Sequence, residues 1–155
     1  MSEPNFSNIL VAIDGSEPSF DAADYAVSIA ELYNSHLTAL YVVSARVNND
    51  FDSDMPVDKM PDQIQKIMNE AKIESEPWFD RIRREIDNES LINFRTNIVL
   101  SSAKVSEVIV NFSENAKVDL IVIGTRGRSG FKRLLLGSVA SDTVTYAHCP
   151  VLVVK

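Results

Sequence analysis

Apolar residues fall along this chain in two alternating rhythms: short unbroken runs, and longer stretches in which they recur every three or four positions. Residues 8–13 (NILVAI) form the first run, which breaks at Asp14-Gly15-Ser16. A run that is apolar on both faces suits a strand buried inside a parallel sheet. Pro18 is acceptable in the first turn of a helix, with Ser16 or Glu17 as its cap. From there Ala22, Tyr25, Ala26, Ile29 and Tyr33 mark one face of an amphipathic helix ending near Asn34.

The second strand reads His36 to Ser44. Residues 45–61 then lose periodicity and gain aspartate, asparagine and proline, which predicts a long, mobile loop. Ile64, Ile67, Met68, Ala71, Trp78, Phe79, Ile82 and Ile86 stripe a long helix, and Pro77 inside it predicts a kink or break near Glu76. Leu91 to Leu100 is the third strand, and Val105, Val108, Ile109 and Phe112 stripe the third helix. Asp119 to Ile123 is the fourth strand, stopping at Gly124. A basic, glycine-rich loop leads to Gly137-Ser138, a helix runs to about Ala147, and Pro150 opens a last strand, Val151 to Val154. Strands that alternate with helices must pair in parallel, because each crossover returns the chain in the same direction. The fold class expected is α/β: a single, doubly wound, Rossmann-like open sheet of five parallel strands with helices on both faces.

Composition narrows this picture without naming a function. The chain has 155 residues, 45% apolar and 24% charged, which fits one domain spanning residues 1–155 with a genuine core. A formal charge of −7 argues against a nucleic-acid or anionic-membrane partner. No apolar run approaches membrane-spanning length, and the opening residues lack the pattern of a secretory signal. Cys149 is the single cysteine and cannot form an internal disulfide, so a reducing, cytoplasmic location is expected.

Chemistry is expected where such sheets bind ligands, beyond the carboxyl ends of the strands at the reversal of strand order. Asp14, the pair Val42 and Val43, and the loop starting at Gly124 converge on that rim despite their distance in sequence. Gly127 and Gly130 let the loop backbone turn sharply and approach a ligand closely. Gly137 and Ser138 open a helix, whose first amides lack intrahelical acceptors and favour phosphate oxygens. Residues 126–133 (RGRSGFKR) carry four cations and no acid in an otherwise acidic chain, a local charge suited to an anion. The loop lacks the Gly-x4-Gly-Lys-Ser/Thr pattern, which excludes a Walker-type cradle.

The spacing Gly124-x2-Gly127-x9-Gly137-Ser138 resembles the ATP-binding signature of the universal stress protein family. The segments LVAIDGS, ALYVVS, DLIVIGTRGRSG and HCPVLVVK are also similar to that family, so the resemblance spans essentially the whole chain. It implies the strand order 3-2-1-4-5 and an adenine nucleotide, ATP with Mg²⁺ as a companion, held at the rim. It further implies that Asp14 contacts the adenine edge, that Ala12 lies beside the nucleoside, and that Val42 meets adenine through backbone and apolar surface. Ile123, Gly124 and Gly127 would border the ribose and first phosphates. Gly137, Ser138 and Val139 would hold the phosphate chain through amides and the Ser138 hydroxyl. Arg126, Arg128 and Lys132 stand at positions that vary within the family. Pro77 and the acidic loop before it are not family hallmarks.

Plainer readings stand beside these. Asp14 also fits a capping carboxylate, and Gly124 and Gly127 fit turn glycines; the full spacing through Ser138 favours phosphate binding over both. The cationic cluster equally fits a solvated loop. Val42 and Val43 are core residues first, and Trp78 and Phe79 read as core. His36 and His148 are isolated, with no spacing that assembles a metal site. His148-Cys149-Pro150 reads as a packed helix-to-strand junction rather than a nucleophile.

Three functions follow. The first is a nucleotide-binding regulatory module, ranked first because no residue pair near the loop positions a nucleophile and a base. The second is a slow ATPase or nucleotidyl-transfer enzyme on the same fold. The third is a dimeric stress-assembly protein with a vestigial site, in which the bare apolar strand 151–154 pairs across a two-fold axis, as the resemblance also implies.

Overall fold

The structure, a computed structural model, describes residues 3–45, 55–125 and 136–155. Its elements follow in the order β1 (Asn8–Ala12), α1 (Glu17–Tyr33), β2 (His36–Ser44), a 3₁₀ turn (Val57–Lys59), α2 (Asp62–Glu85), β3 (Asn93–Ser101), α3 (Val105–Asn115), β4 (Leu120–Gly124), α4 (Ser138–Tyr146) and β5 (Val151–Val154). The strands form one sheet in the order β3-β2-β1-β4-β5, and every pairing is parallel.

Period-two geometry sends alternate residues of β1 to opposite faces. Ile9, Val11 and Ile13 join Ala22, Ala26, Phe79 and Ile82 of α1 and α2 in one buried layer. Leu10 joins Ile109 of α3 and Ala140 of α4 in the other, with Ile121 and Ile123 of β4. The two central strands are therefore apolar on both sides, which is why they read as unbroken runs. The amino end of the sheet is fixed by Asp119, whose carboxylate accepts from the Ser7 amide at 3.0 Å and the Asn8 amide at 3.1 Å. The Ser7 carbonyl in turn accepts from the His36 amide at 2.8 Å.

Four details differ from the expectations above. The stripe of α1 is set by small residues, with Ala22, Ala23, Ala26 and Ala30 buried, whereas Tyr25 is 56% exposed. Small side chains bring the α1 axis close to the strands, and the larger tyrosine is left on the flank. The third strand starts at Asn93, and Leu91 belongs to the exposed connection before it. Within the loop expected over 45–61, Val57–Lys59 forms the 3₁₀ turn and Met60 is buried with Ile64, Met68 and Leu100, so its final residues are anchored; positions 46–54 lie outside the described residues.

The fourth concerns Pro77, where α2 runs unbroken from Asp62 to Glu85. Proline removes the bond that would reach the Ile73 carbonyl. Ile73 is 73% exposed and Pro77 is exposed too, so water is at hand for that carbonyl. Ala71 and Ser75 before the proline, and Phe79 and Ile82 after it, are buried and hold both halves of the helix in line. Burial outweighs one missing bond. Pro77→Ala is accordingly expected to raise the unfolding free energy by about 1–3 kcal/mol, read from urea denaturation.

Candidate functional site

β1 ends at Ala12, but its ladder continues one residue further through Ile13 N–H, which donates to the Leu40 carbonyl at 2.9 Å. The chain must then leave the sheet and start α1 within a few residues. Gly15 supplies the required bend at φ +83°, a region in which side chains with a Cβ are strained. The Asp14 carboxylate closes the turn: its Oδ1 accepts from the Ser16 amide at 3.0 Å and also from the Ser16 hydroxyl. Ser16 is the helix cap, its Oγ accepting from the Ser19 amide at 3.3 Å, with Pro18 in the first turn. Asp14 thus has the structural role that its position allowed, and its carboxylate is oriented by that role.

Directly beyond this turn lies a cavity of about 490 Å³. Ala12 and Asp14 form one wall, and Val42, from the end of β2, forms the next. Ile123 and Gly124 at the end of β4 face them, and Gly137, Ser138 and Val139 close the far side at the start of α4. The structure therefore brings eight of the twelve residues singled out in the sequence around one space. The other four, Arg126, Gly127, Arg128 and Gly130, lie outside the described residues, as does Lys132.

The connection from β4 to α4 is rooted by two main-chain bonds. The Thr125 amide donates to the Val154 carbonyl at 2.9 Å, and the Gly137 amide donates to the Thr125 carbonyl at 2.7 Å. The Gly137 amide is thereby engaged within the protein. The next amides, Ser138 and Val139, stand in the first turn of α4 and have no intrahelical acceptor. Among the described residues no side chain caps this helix start, where Gly137 occupies the cap position. The positive end of the α4 dipole consequently opens on the cavity.

Two walls were not anticipated. Val105 and Ile109 of α3 line the cavity, as do Tyr41 and Ser44 of β2. The first two were read only as a helical core stripe. A signal was nevertheless present, because α3 follows β3, the strand beside β2, and so its first turn rises at the same rim. Among the described residues lining the cavity, Asp14 is the one with a charged side chain. The remaining surface is aliphatic, with hydroxyls from Ser19, Tyr41, Ser44, Thr125 and Ser138. That mixture suits a ligand with a flat apolar body and a polar tail.

Elsewhere, among the described residues, no group of three or more His, Cys, Asp or Glu side chains gathers as a metal site. His148 Nδ1 lies 3.4 Å from Glu114 Oε1, joining the end of α3 to the α4–β5 connection. Burial, and secondarily Asp119, push the Cys149 thiol up, which keeps it protonated and suits packing rather than nucleophilic attack. No described helix is long and apolar enough to cross a membrane.

Gly124 has a packing reason of its own. A Cβ there would sit 2.7 Å from the Pro18 carbonyl oxygen, so the glycine lets the start of α1 lie against the end of β4. Gly124→Ala is expected to cost about 1–3 kcal/mol of stability, visible as a lowered midpoint in chemical denaturation.

Comparison with known proteins agrees with this geometry. The family model described as "Usp: Universal stress protein family" matches residues 5–155. Universal stress protein MJ0531 of Methanocaldococcus jannaschii is 33% identical over 154 residues, covering 97% of this chain and 82% of that protein. Universal stress protein UspA from Lactobacillus plantarum shares the fold at a TM-score of 0.70 and 24% identity, over 99% of this chain and 100% of that one. A universal stress protein from Archaeoglobus fulgidus, solved in complex with dAMP, aligns at a TM-score of 0.67 and 21% identity over 97% of this chain and 98% of that one. Another universal stress protein, solved in complex with cAMP, aligns at 0.59 and 24% identity over 98% of each chain. With a family model spanning nearly its full length and a relative above 30% identity, this chain belongs to the universal stress protein family.

Proposed function

We propose that the cavity binds ATP or a related adenine nucleotide, and that the protein is a nucleotide-responsive regulatory module of the stress response. The observation that carries this reading is the joining of three elements at one rim. The aliphatic ends of β1 and β2, the turn carboxylate of Asp14, and the uncapped start of α4 surround a single space of about 490 Å³. That volume lies within the range of small-molecule sites, roughly 300–1,000 Å³. Universal stress proteins solved with dAMP and with cAMP lend support from the same fold.

In this arrangement the base lies against Ala12 and Val42, with its polar edge toward Asp14. The ribose passes Ile123 and Gly124. Phosphate oxygens are received by the Ser138 and Val139 amides and the Ser138 hydroxyl, where unpaired donors and the helix dipole favour negative charge. Arg126, Gly127, Arg128 and Gly130 would complete the phosphate side. Mg²⁺ would arrive with ATP, neutralising the phosphates rather than relying on a carboxylate cluster of the protein.

The loop root also gives the site a route outward. Thr125 is bonded on one side to Gly137, at the cavity, and on the other to Val154, in the outermost strand. We place a second copy of the chain on that strand, because Val151, Leu152 and Val153 are only partly buried at an edge that no further described strand pairs. A nucleotide that shifts the β4–α4 connection would thereby be felt at the dimer surface.

Two experiments test these assignments. Ser138→Asp places a carboxylate in the first helical turn, where the dipole favours it, so thermal stability is expected to hold or rise slightly. The same charge opposes phosphate, and calorimetry is expected to show ATP affinity lowered about tenfold or more, with adenosine affinity unchanged. Equal ATP affinity in the variant removes the phosphates from the α4 start. For the edge strand, light scattering at micromolar concentration is expected to give twice the monomer mass, and a stable monomer overturns the pairing.

A further inference from the structure

Helix α2 carries two stripes. One, through Ala71, Ser75, Phe79 and Ile82, is buried in the core. The other, through Glu74, Trp78 and Arg81, falls at steps of four and three residues, and its Trp78 is partly buried at the edge of the same core. Glu74 Oε2 accepts from the Tyr41 hydroxyl at 3.2 Å, and Tyr41 lines the cavity. The Trp78 indole meets the Tyr41 ring edge-on, with centroids 5.0 Å apart and planes at 78°. Arg81 lies over the Phe20 ring at 4.0 Å and reaches Glu17 Oε1 at 3.5 Å, both residues of early α1.

Trp78 also lies against the β1–α1 turn. A Cβ on Gly15 would lie 2.3 Å from Trp78 Cζ2 and 2.6 Å from Cε2, so the indole is pressed against the bare glycine backbone. Gly15 is the residue at φ +83°, and Asp14 precedes it. A glycine has many backbone conformations open to it, so the turn's shape is selected jointly by the Asp14–Ser16 bonds and by the packing around Gly15. The Asp14–Ser16 bonds fix the carboxylate relative to the cap of α1. The main-chain bond from Ile13 to Leu40 ties the residue before the turn to β2, but the Asp14–Ser16 bonds do not hold Gly15 against that strand. Trp78 does, because one indole touches both Gly15 and Tyr41.

We propose that Trp78 is a positioning residue for the ligand cavity: it holds the Asp14-Gly15-Ser16 turn in register with the end of β2, so that Asp14 is presented to the ligand before the ligand arrives. The proposal rests on the reading of the cavity as an adenine-nucleotide site. Its energetic content is preorganisation, since an ordered turn spares the ligand the entropy of ordering it. The role differs from core packing, which would support the whole fold without favouring the bound state.

Trp78 is the chain's only tryptophan, so its emission reports on this position alone. The test titrates AMP into the full-length protein and into Trp78→Ala and Trp78→Phe, by calorimetry and fluorescence. Wild-type emission is expected to shift saturably, with the midpoint found by calorimetry. Trp78→Ala is expected to unfold cooperatively yet bind AMP about tenfold more weakly, and Trp78→Phe to recover most of the affinity by restoring a ring against Gly15. A merely structural tryptophan would lower the unfolding temperature of Trp78→Ala while leaving its AMP affinity and the wild-type emission unmoved, and that result overturns the proposal. If Trp78→Ala does not fold, Trp78→Leu takes its place, and an AMP affinity equal to that of the wild type overturns the proposal. A wild type that binds none of AMP, ADP or ATP is a separate result, visible without any variant, and overturns the reading of the site itself.

Discussion

Parallel pairing is the constraint on which the rest of this molecule depends. Two neighbouring strands that run in the same direction cannot be joined by a tight turn, so each connection must travel back along a face of the sheet. The helices that make those returns bury both faces, and all strand ends of one polarity gather at one rim. Here the order reverses between β1 and β4: β2 lies to one side of β1 and β4 to the other. The helices after β1 and β4 leave toward opposite faces, α1 packing with the Ile9–Val11 layer and α4 with the Leu10 layer. A gap must open where they part, and the cavity occupies it.

The lining follows from what can be placed at such a gap. Strand ends contribute the aliphatic walls, because Val42 and Ile123 are continuous with buried runs. Helix starts contribute amides, because the first turn of any helix has donors without intrahelical acceptors. Among the described residues lining the cavity, positive potential comes from the main chain, through the first turn of α4. The glycines serve distinct ends within this scheme. Gly15 permits a left-handed bend, and Gly124 permits close contact with Pro18.

Much of this was legible from residues alone. Strands β1, β4 and β5 were visible as unbroken apolar runs, and parallel pairing followed from their alternation with amphipathic stretches. The rim was legible because Asp14, Val42 and Gly124 each stand where an apolar run stops. The strand order came from family resemblance rather than from any local pattern, since a single sequence does not say which buried strand lies beside which. The continuous α2 was missed because local rules weigh the bond that Pro77 forfeits and not the buried faces that span it. The tyrosines of α1 were misplaced because periodicity assigns a face without deciding whether alanine or tyrosine occupies its centre. Trp78 was read as core and does pack against it, but its contact with Gly15 joins positions 63 apart in sequence, and no spacing rule connects them.

The Asp119 clasp has a temporal side. Ser7 and Asn8, which it grips, are separated from it by 112 and 111 residues. During synthesis β1 is made more than a hundred residues before β4, so one flank of it stays bare until β4 has followed. Contacts of such sequence separation are slow to form, and an apolar strand held open meanwhile is a point of vulnerability. Of the paired strands, β1 thus waits longest between its synthesis and its enclosure, and nascent-chain chaperones have their opportunity in that interval.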